Sequence, residues 1–162
     1  MPVPDPRVTA FVREGRPATA NKTKGKAKQK MKDDMPALYR AAGGVLRSEP
    51  SYGVVYYFVS GYRPATDADA DNLSKPVWDA LTETAYQDDK LIRLRMSGVI
   101  EVGADPSGAP SYADINLSAM PEPAASRLTE LLLGDARDIL YVEIGPLNPR
   151  MFVFNLAKGE AP

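Results

Sequence analysis

The chain has 162 residues and a formal net charge of -1, with 44% hydrophobic and 25% charged residues, which is typical of a globular domain. It contains no cysteine and no histidine, which excludes disulfides, thiol nucleophiles, the usual zinc ligands and a histidine general base. Carboxylates and lysines must therefore carry any enzymatic chemistry. No apolar run approaches the ~18 residues of a membrane span, and the start MPVPDPR lacks a signal-peptide pattern, so we expect a cytoplasmic protein.

The near-neutral total hides a separation of charge along the chain. Residues 1–63 hold twelve basic and five acidic side chains, whereas residues 64–162 hold eight basic and sixteen acidic ones. Lysine occupies every second position from Lys22 to Lys32 without an apolar face between, so we expect a mobile basic loop over 21–32. A basic segment ahead of an acidic body indicates a polyanion partner, with a merely solvated loop as the alternative.

The first half of the chain predicts a strand, a helix and a second strand. Val8–Val12 predicts a short strand that ends at the turn-like EGRP, and DDMP at 33–36 predicts the start of a helix. Gly43-Gly44 inside the helical pattern predicts a short or broken helix. The run YGVVYYFVS at 52–60 is β-branched and aromatic on both faces, which predicts a central strand or one used in an interface.

A helix and a strand follow the acidic stretch DADADN. Leu73, Val77 and Leu81 repeat at helical spacing and predict a helix over Ser74–Thr84, with Ser74 as its N-cap. Leu91–Val102 predicts a strand with Ile92, Leu94 and Met96 on one face and Arg93 and Arg95 on the other.

The last third of the chain predicts further elements of the same kind. Ser111–Ser118 predicts a strand, and Glu122–Leu133 predicts an amphipathic helix. Ile139–Ile144 and Met151–Leu156 predict a β-hairpin across GPLNPR. Nothing in this region indicates chemistry.

The aspartates of DADADN are the first candidate site. If this stretch is extended, Asp67, Asp69 and Asp71 project from one face about 6.5 to 7 Å apart. Such a row repels itself unless a cation neutralises it, and a hard divalent ion is the cation that oxygen ligands favour. Asp88-Asp89 completes the site if the helix folds back beside the strand.

Two other interpretations of the same aspartates have to be weighed. Acids that flank a helix are often only turn formers and caps. A calcium loop also begins with aspartates at its first, third and fifth places. That pattern fails here, because its sixth place is Asn72 instead of glycine and its twelfth is Trp78 where a glutamate belongs.

The run DADNLSKPVWDAL from Asp69 to Leu81, followed by Tyr86 and by Asp88-Asp89 before an apolar strand, resembles the RusA family of Holliday junction resolvases. The resemblance covers Tyr52–Val102 closely and Val8–Leu46 more loosely. It implies an α+β fold with a mixed β-sheet and helices packed on it.

The resemblance also divides the chain. We expect residues 1–102 to form a RusA-like nuclease core that includes the basic loop 21–32. Residues 103–162 have no match in the compact family core, and we expect them to add the C-terminal helix and β-hairpin as an extension of the same domain.

The resemblance implies four catalytic residues, of which the three carboxylates bind metal: Asp69, Asp71, Lys75 and Asp89. The alternating acids allow two registers, and anchoring on Asn72 and Lys75 selects this one. Asp67 then falls outside the motif. It either assists the site as an outer-shell group or is a solvent-exposed residue without a role in it.

Neighbouring residues keep two interpretations each. Asn72 is a turn residue or a substrate contact, with the turn preferred. Asp79 lies four residues after Lys75, so it forms an i,i+4 ion pair or orients the lysine. Trp78 and Tyr86 are expected in the core rather than as base-stacking platforms.

The implied reaction is phosphodiester hydrolysis with Mg²⁺, or Mn²⁺ in its place, held by the aspartates. The implied substrate is branched DNA, cut by paired symmetrical nicks in a homodimer of bacterial or phage origin. Because an acidic site repels DNA, basic residues elsewhere must bind the phosphates. The candidates are Lys22, Lys24, Lys26, Lys28, Lys30, Lys32, Arg63, Arg93 and Arg95.

Two rival functions remain at this point. One is a catalytically inactive DNA-binding protein of the same fold, and the other is a calcium-binding structural module. Retention of both Lys75 and Asp89 favours the enzyme.

Overall fold

A computed structural model describes residues 5–19, 25–60, 70–102 and 120–148. In these ranges the chain forms a mixed four-stranded sheet with three α-helices, which confirms the predicted α+β fold. A 3-10 turn at Asp89–Leu91 precedes the third strand. The elements in chain order are β1 Thr9–Glu14, α1 Lys26–Ala41, β2 Ser51–Ser60, α2 Ala70–Leu81, β3 Ile92–Val102, α3 Ala124–Leu133 and β4 Asp138–Pro146.

The strands lie in the order β1-β4-β2-β3. β2 and β3 are parallel and are joined through α2, whereas β4 is antiparallel to both of its neighbours. The last strand in sequence therefore lies inside the sheet. β4 suits this position because consecutive apolar residues bury side chains on both faces, among them Leu140, Tyr141 and Val142.

The sheet separates two hydrophobic cores. On one face, Val55 of β2 packs in a cluster with residues of α1 and α2. On the other face, Phe58 packs in a cluster with residues of α3. β2 is thus a central strand covered on both sides, as its sequence predicts.

The lysine-rich run is helical from Lys26 onward, so the loop expected over 21–32 is wrong for this part. Lysine, alanine and glutamine are good helix formers, even where they present no apolar face. The buried face comes from Met31, Met35 and Tyr39, which repeat every four residues and are at most 1% exposed.

The bounds of α1 also differ from the prediction. The helix does not start at Asp33, and Pro36 lies in its interior, where its ring costs one backbone hydrogen bond. The two glycines follow the helix instead of interrupting it. Gly43 adopts φ +83°, a left-handed conformation that L side chains rarely adopt.

α2 begins at Ala70, about one turn earlier than predicted. Ser74 is therefore an interior residue instead of the N-cap, and Pro76 lies past the first turn. Leu73, the first residue of the apolar stripe, is fully buried and lies inside the helix instead of just before it.

The C-terminal third contributes a helix and a strand. α3 agrees closely with the predicted helix. The predicted hairpin is wrong along β4, because β1 and β2 occupy both of its edges. The expected partner strand Met151–Leu156 and the expected strand Ser111–Ser118 lie outside the described residues.

Candidate active site

α2 presents the motif residues on its outer surface. Asp71, Lys75 and Asp79 are exposed and follow one another at i,i+4 spacing, so they share one side of the helix. Asp71 lies in the first turn, where a negative charge is favoured by the helix dipole. The inner surface is apolar and holds the helix against the sheet.

Asp71 is helical, so it does not belong to an extended row of carboxylates as expected. The other two aspartates of that row, Asp67 and Asp69, lie outside the described residues. Asn72 is partly exposed in the first turns of the same helix.

Lys75 forms the predicted ion pair with Asp79. The lysine Nζ lies 3.2 Å from Oδ2 and 3.3 Å from Oδ1 of the aspartate. Both side chains are well exposed, at 66% and 46%, so the pair is weak and opens readily. Asp79 thus holds the lysine on the outer side of α2 without burying it.

The turn after α2 is fixed by Tyr86 and Trp78, which are both fully buried, as expected of core residues. The Tyr86 hydroxyl donates to the Trp78 carbonyl oxygen at 2.6 Å. The Trp78 ring lies directly over Gly53 of β2, where an added Cβ would come within 2.4 Å of the ring. This close approach holds the end of α2 against the sheet.

The two acids before β3 have different surroundings. Asp88 caps the 3-10 turn, and its Oδ1 accepts the backbone N–H of Lys90 at 2.9 Å. That hydrogen bond is the main cause that lowers the pKa of the Asp88 carboxyl below its usual value. Asp89 does not cap this turn. It is the acid of the pair that the family motif indicates as the metal-binding one.

Asp89 is held by Arg95. Nη2 of the guanidinium donates to the backbone oxygen of Asp89 at 2.8 Å and to its carboxylate Oδ2 at 3.0 Å. The Asp89 side chain is 33% exposed, so the carboxylate remains accessible from solvent. The sequence pattern does not predict this contact, because it depends on the geometry of the intervening turn.

The hydroxyl of Tyr86 is buried near charged side chains. Burial raises the pKa of this hydroxyl, and the charges of Asp89, Arg95 and Asp79 also act on it.

The described residues show two of the three expected metal ligands, Asp71 and Asp89. Within those residues, no three acidic side chains are grouped as a metal site. The third expected ligand, Asp69, lies in the undescribed range 61–69. The chemistry of the two visible donors fits a hard divalent ion, because both are carboxylates open to solvent.

The expected DNA-binding residues fall into three groups. Lys26, Lys28, Lys32 and Arg93 are exposed and make no ion pair or hydrogen bond within the described part of the chain. Lys30 is paired with Asp34 at 2.9 Å, and Arg95 is paired with Asp89. The remaining candidates lie outside the described ranges: Lys22, Lys24 and Arg63.

The helical form of α1 changes how its lysines are arranged. In a strand, residues at every second position would share one face. In a helix they form two pairs at i,i+4 spacing, Lys26 with Lys30 and Lys28 with Lys32, on different sides. The basic surface therefore wraps around the start of α1. No helix in the described ranges has the length and hydropathy of a membrane span.

A family model described as Endodeoxyribonuclease RusA matches residues 3–103. Since the match covers more than half of the 162 residues, the chain belongs to this family. No curated protein matches it. Membership implies endonuclease activity on Holliday junctions and a general dependence on divalent metal ions. α3 and β4 lie beyond the matched range, although β4 fills the position between β1 and β2.

Proposed function

We propose that this chain is a Mg²⁺-dependent endonuclease that resolves Holliday junctions by paired symmetrical nicks, acting as a homodimer in the cytoplasm of a bacterial cell. The gene belongs to that cell or to a phage. The observation that carries the proposal is the exposed face of α2, where Asp71 and Lys75 lie side by side while the following turn presents the accessible carboxylate of Asp89.

Asp71 and Asp89, together with Asp69, would hold the ion. The ion held by these carboxylates would supply a Lewis acid for the phosphoryl oxygens and a water of lowered pKa, so that no histidine base would be needed. The chain's own contribution is to present hard oxygen donors at the start of α2 and at the start of β3. Manganese would satisfy the same donors.

Lys75 would stabilise the negative charge that develops on the phosphate in the transition state. Its exposed pair with Asp79 supports this role, because the aspartate orients the ammonium at little cost when the lysine moves to a phosphate. Asp79 would then position Lys75 and would not touch the substrate itself.

The basic start of α1 and Arg93 would bind the DNA backbone. Their charges are exposed and open within the described residues, in contrast to those of Lys30 and Arg95. Phosphate binding by these groups releases counterions, so the affinity for DNA should fall steeply with salt. Lys22, Lys24 and Arg63 would extend the same surface.

A homodimer would match the two-fold character of a four-way junction and place one site on each of two opposed strands. Paired nicks are the outcome that needs two such sites. Measuring the mass of the free chain and of its junction complex by light scattering tests the stoichiometry, with two chains per junction expected.

The test of the activity is cleavage of a labelled four-way junction, beside a linear duplex built from the same arms. The wild type is expected to nick the junction symmetrically with Mg²⁺ and to leave it uncut with EDTA. Asp71→Asn is expected to bind the junction and leave it uncut. Tight binding by the wild type without nicks under Mg²⁺ or Mn²⁺ would favour the inactive DNA-binding protein instead.

A further inference from the structure

Within the described residues, Arg95 makes two hydrogen bonds, both through a single nitrogen. Nη2 donates one hydrogen to the backbone oxygen of Asp89 at 2.8 Å and the other to Oδ2 at 3.0 Å. The bond to the backbone oxygen does not involve the carboxylate. It can therefore keep the guanidinium beside Asp89 even when the carboxylate bond is broken.

The rest of the guanidinium is open. Nε and Nη1 make no hydrogen bond within the described part of the chain, and the side chain is 39% exposed. A guanidinium has five donors in a planar fork that matches a phosphate, so three of them remain available to a DNA backbone. Arg93, two residues earlier on β3, is exposed and contacts no acid within the same ranges.

Asp89 Oδ2 cannot serve Arg95 and a divalent ion equally well, because the two cations would repel each other across one oxygen. We propose that Arg95 is a positioning residue that exchanges Asp89 Oδ2 for a DNA phosphate when the ion binds. In the ion-free chain Arg95 neutralises and orients the carboxylate. In the ion-bound chain the guanidinium stays anchored on the Asp89 backbone oxygen and turns its free donors to the DNA.

The exchange couples the two ligands. The ion releases Arg95 and so strengthens binding of the DNA backbone, and a phosphate that takes Arg95 removes the ion's competitor. Linkage requires the two effects to be equal in free energy. This inference rests on the proposed function, since it needs Asp89 to bind the ion.

The first test is ion binding to the DNA-free protein, measured by calorimetry with Mn²⁺ and Mg²⁺. Removing a competing exposed ion pair should tighten ion binding by about two- to fivefold in Arg95→Gln. Arg93→Gln removes the same charge from the same strand and is the matched control, with ion affinity expected to stay within about twofold of the wild type. Arg95→Lys keeps the charge beside Asp89 and should stay close to the wild type.

The second test is the salt dependence of junction binding, measured with EDTA and with Ca²⁺ while a denaturing gel monitors cleavage. In the wild type the log-log slope should be steeper with Ca²⁺ by about 0.9, the value for one further phosphate contact. This increment is expected to disappear in Arg95→Gln. Arg93→Gln should lower both slopes equally and keep the increment.

The outcomes separate the inference from the proposed function. Wild-type protein that binds no divalent ion would overturn both. Ion binding that is unchanged or weaker in Arg95→Gln, or an increment that survives in this variant, would overturn only the exchange. Thermal unfolding of the variants shows whether a weaker affinity reflects a lost fold, and a folded Arg95→Gln with weaker ion binding counts against the exchange.

Discussion

The start of α1 and the segment from α2 to β3 are both charged, but they differ in whether their basic side chains are paired with acids. On α1, Lys26, Lys28 and Lys32 have no partner within the described residues. In the other segment, Lys75 and Arg95 are each held by an aspartate. In the proposed function, the first region would offer its charge directly to the DNA backbone. The second keeps its charges balanced within the chain until a ligand exchanges them.

This difference explains why a protein with a net charge of -1 can act on DNA. In the proposed function, attraction to the DNA backbone would come from the surface whose cations are open, and it would be long-ranged at low salt. Lys75 and Asp89, two of the proposed catalytic groups, are paired locally, and these pairs would not add to the repulsion of the incoming phosphates. Each of the following predictions alters one side of this comparison.

The largest effect is expected at Lys75. Lys75→Met keeps most of the length of the side chain and suits a helix, and it removes the charge proposed to stabilise the phosphate. Cleavage of a bound junction under single-turnover conditions should fall by about 10² to 10³-fold. Binding of the junction should change little, because one contact among many is lost.

The matched control for Lys75 is its partner. Asp79→Asn leaves the lysine charged and less constrained, and its cleavage rate should stay within about tenfold of the wild type. If Asp79→Asn loses as much activity as Lys75→Met, the ion pair itself is essential and the locally balanced charges are not exchanged during the reaction.

An intermediate effect is expected on α1. Replacing Lys26, Lys28 and Lys32 together by Gln should reduce the log-log salt slope of junction binding by about 2.7, from three phosphate contacts. The stability of the fold should not decrease. Lys26 and Lys28 lie in the first turn of α1 and oppose the helix dipole, at about 0.3–1 kcal/mol each, so urea unfolding should show equal or slightly higher stability.

Lys30→Gln is the control on the same helix. Lys30 is already paired with Asp34, so its loss should affect DNA binding less than the loss of any one open lysine. A larger loss of affinity in Lys30→Gln than in Lys28→Gln would show that open charges are not what distinguishes the DNA-binding surface.

The smallest effect concerns stability. Lys30 and Arg13 hydrogen-bond to Asp34 and lower the pKa of its carboxyl, with Lys30 the larger cause. A lowered folded-state pKa means that the carboxylate stabilises the fold above its unfolded pKa of about 3.9, and that this contribution is lost as the pH falls through the lower folded value. Asp34→Ala should cost about 1 kcal/mol at pH 7, because the buried Arg13 loses its carboxylate partner.

The gap between wild type and Asp34→Ala in urea unfolding should therefore shrink as the pH is lowered below 4. Asp33→Ala is the control, since Asp33 is exposed and accepts a hydrogen bond only from the Gln29 side chain within the described ranges. Its effect should be within about 0.5 kcal/mol at neutral pH. A gap that is the same at all pH values would mean that charge is not what Asp34 contributes.

Much of the fold could be predicted from apolar patterns. The strand at 52–60 is apolar on both faces and is central, and the helices over 74–81 and 124–133 show their buried stripes in the sequence. The place of β4 between β1 and β2 could not be predicted, because strand pairing over such a separation leaves no local signal. The start of α1 was missed because helix propensity, and not an apolar face, decides it.

The family resemblance names the residues of the candidate site, and the sequence predicts only part of their contacts. Spacing alone gives the Lys75–Asp79 pair, since i,i+4 neighbours meet on any helix. It does not give the Asp89–Arg95 pair, which requires a 3-10 turn to bring two residues six apart together. It also does not show that Asp88 is used as a cap while its neighbour is left for another role.

The most direct test of the proposed site compares the two adjacent acids, Asp88 and Asp89. We would measure single-turnover junction cleavage by Asp88→Asn and Asp89→Asn, with junction binding and circular dichroism confirming the fold of both. Asparagine caps a turn as well as aspartate, so Asp88→Asn should retain most of the wild-type rate, while Asp89→Asn should abolish cleavage. Loss of cleavage in Asp88→Asn with activity kept in Asp89→Asn would contradict the assignment of the metal-binding carboxylate.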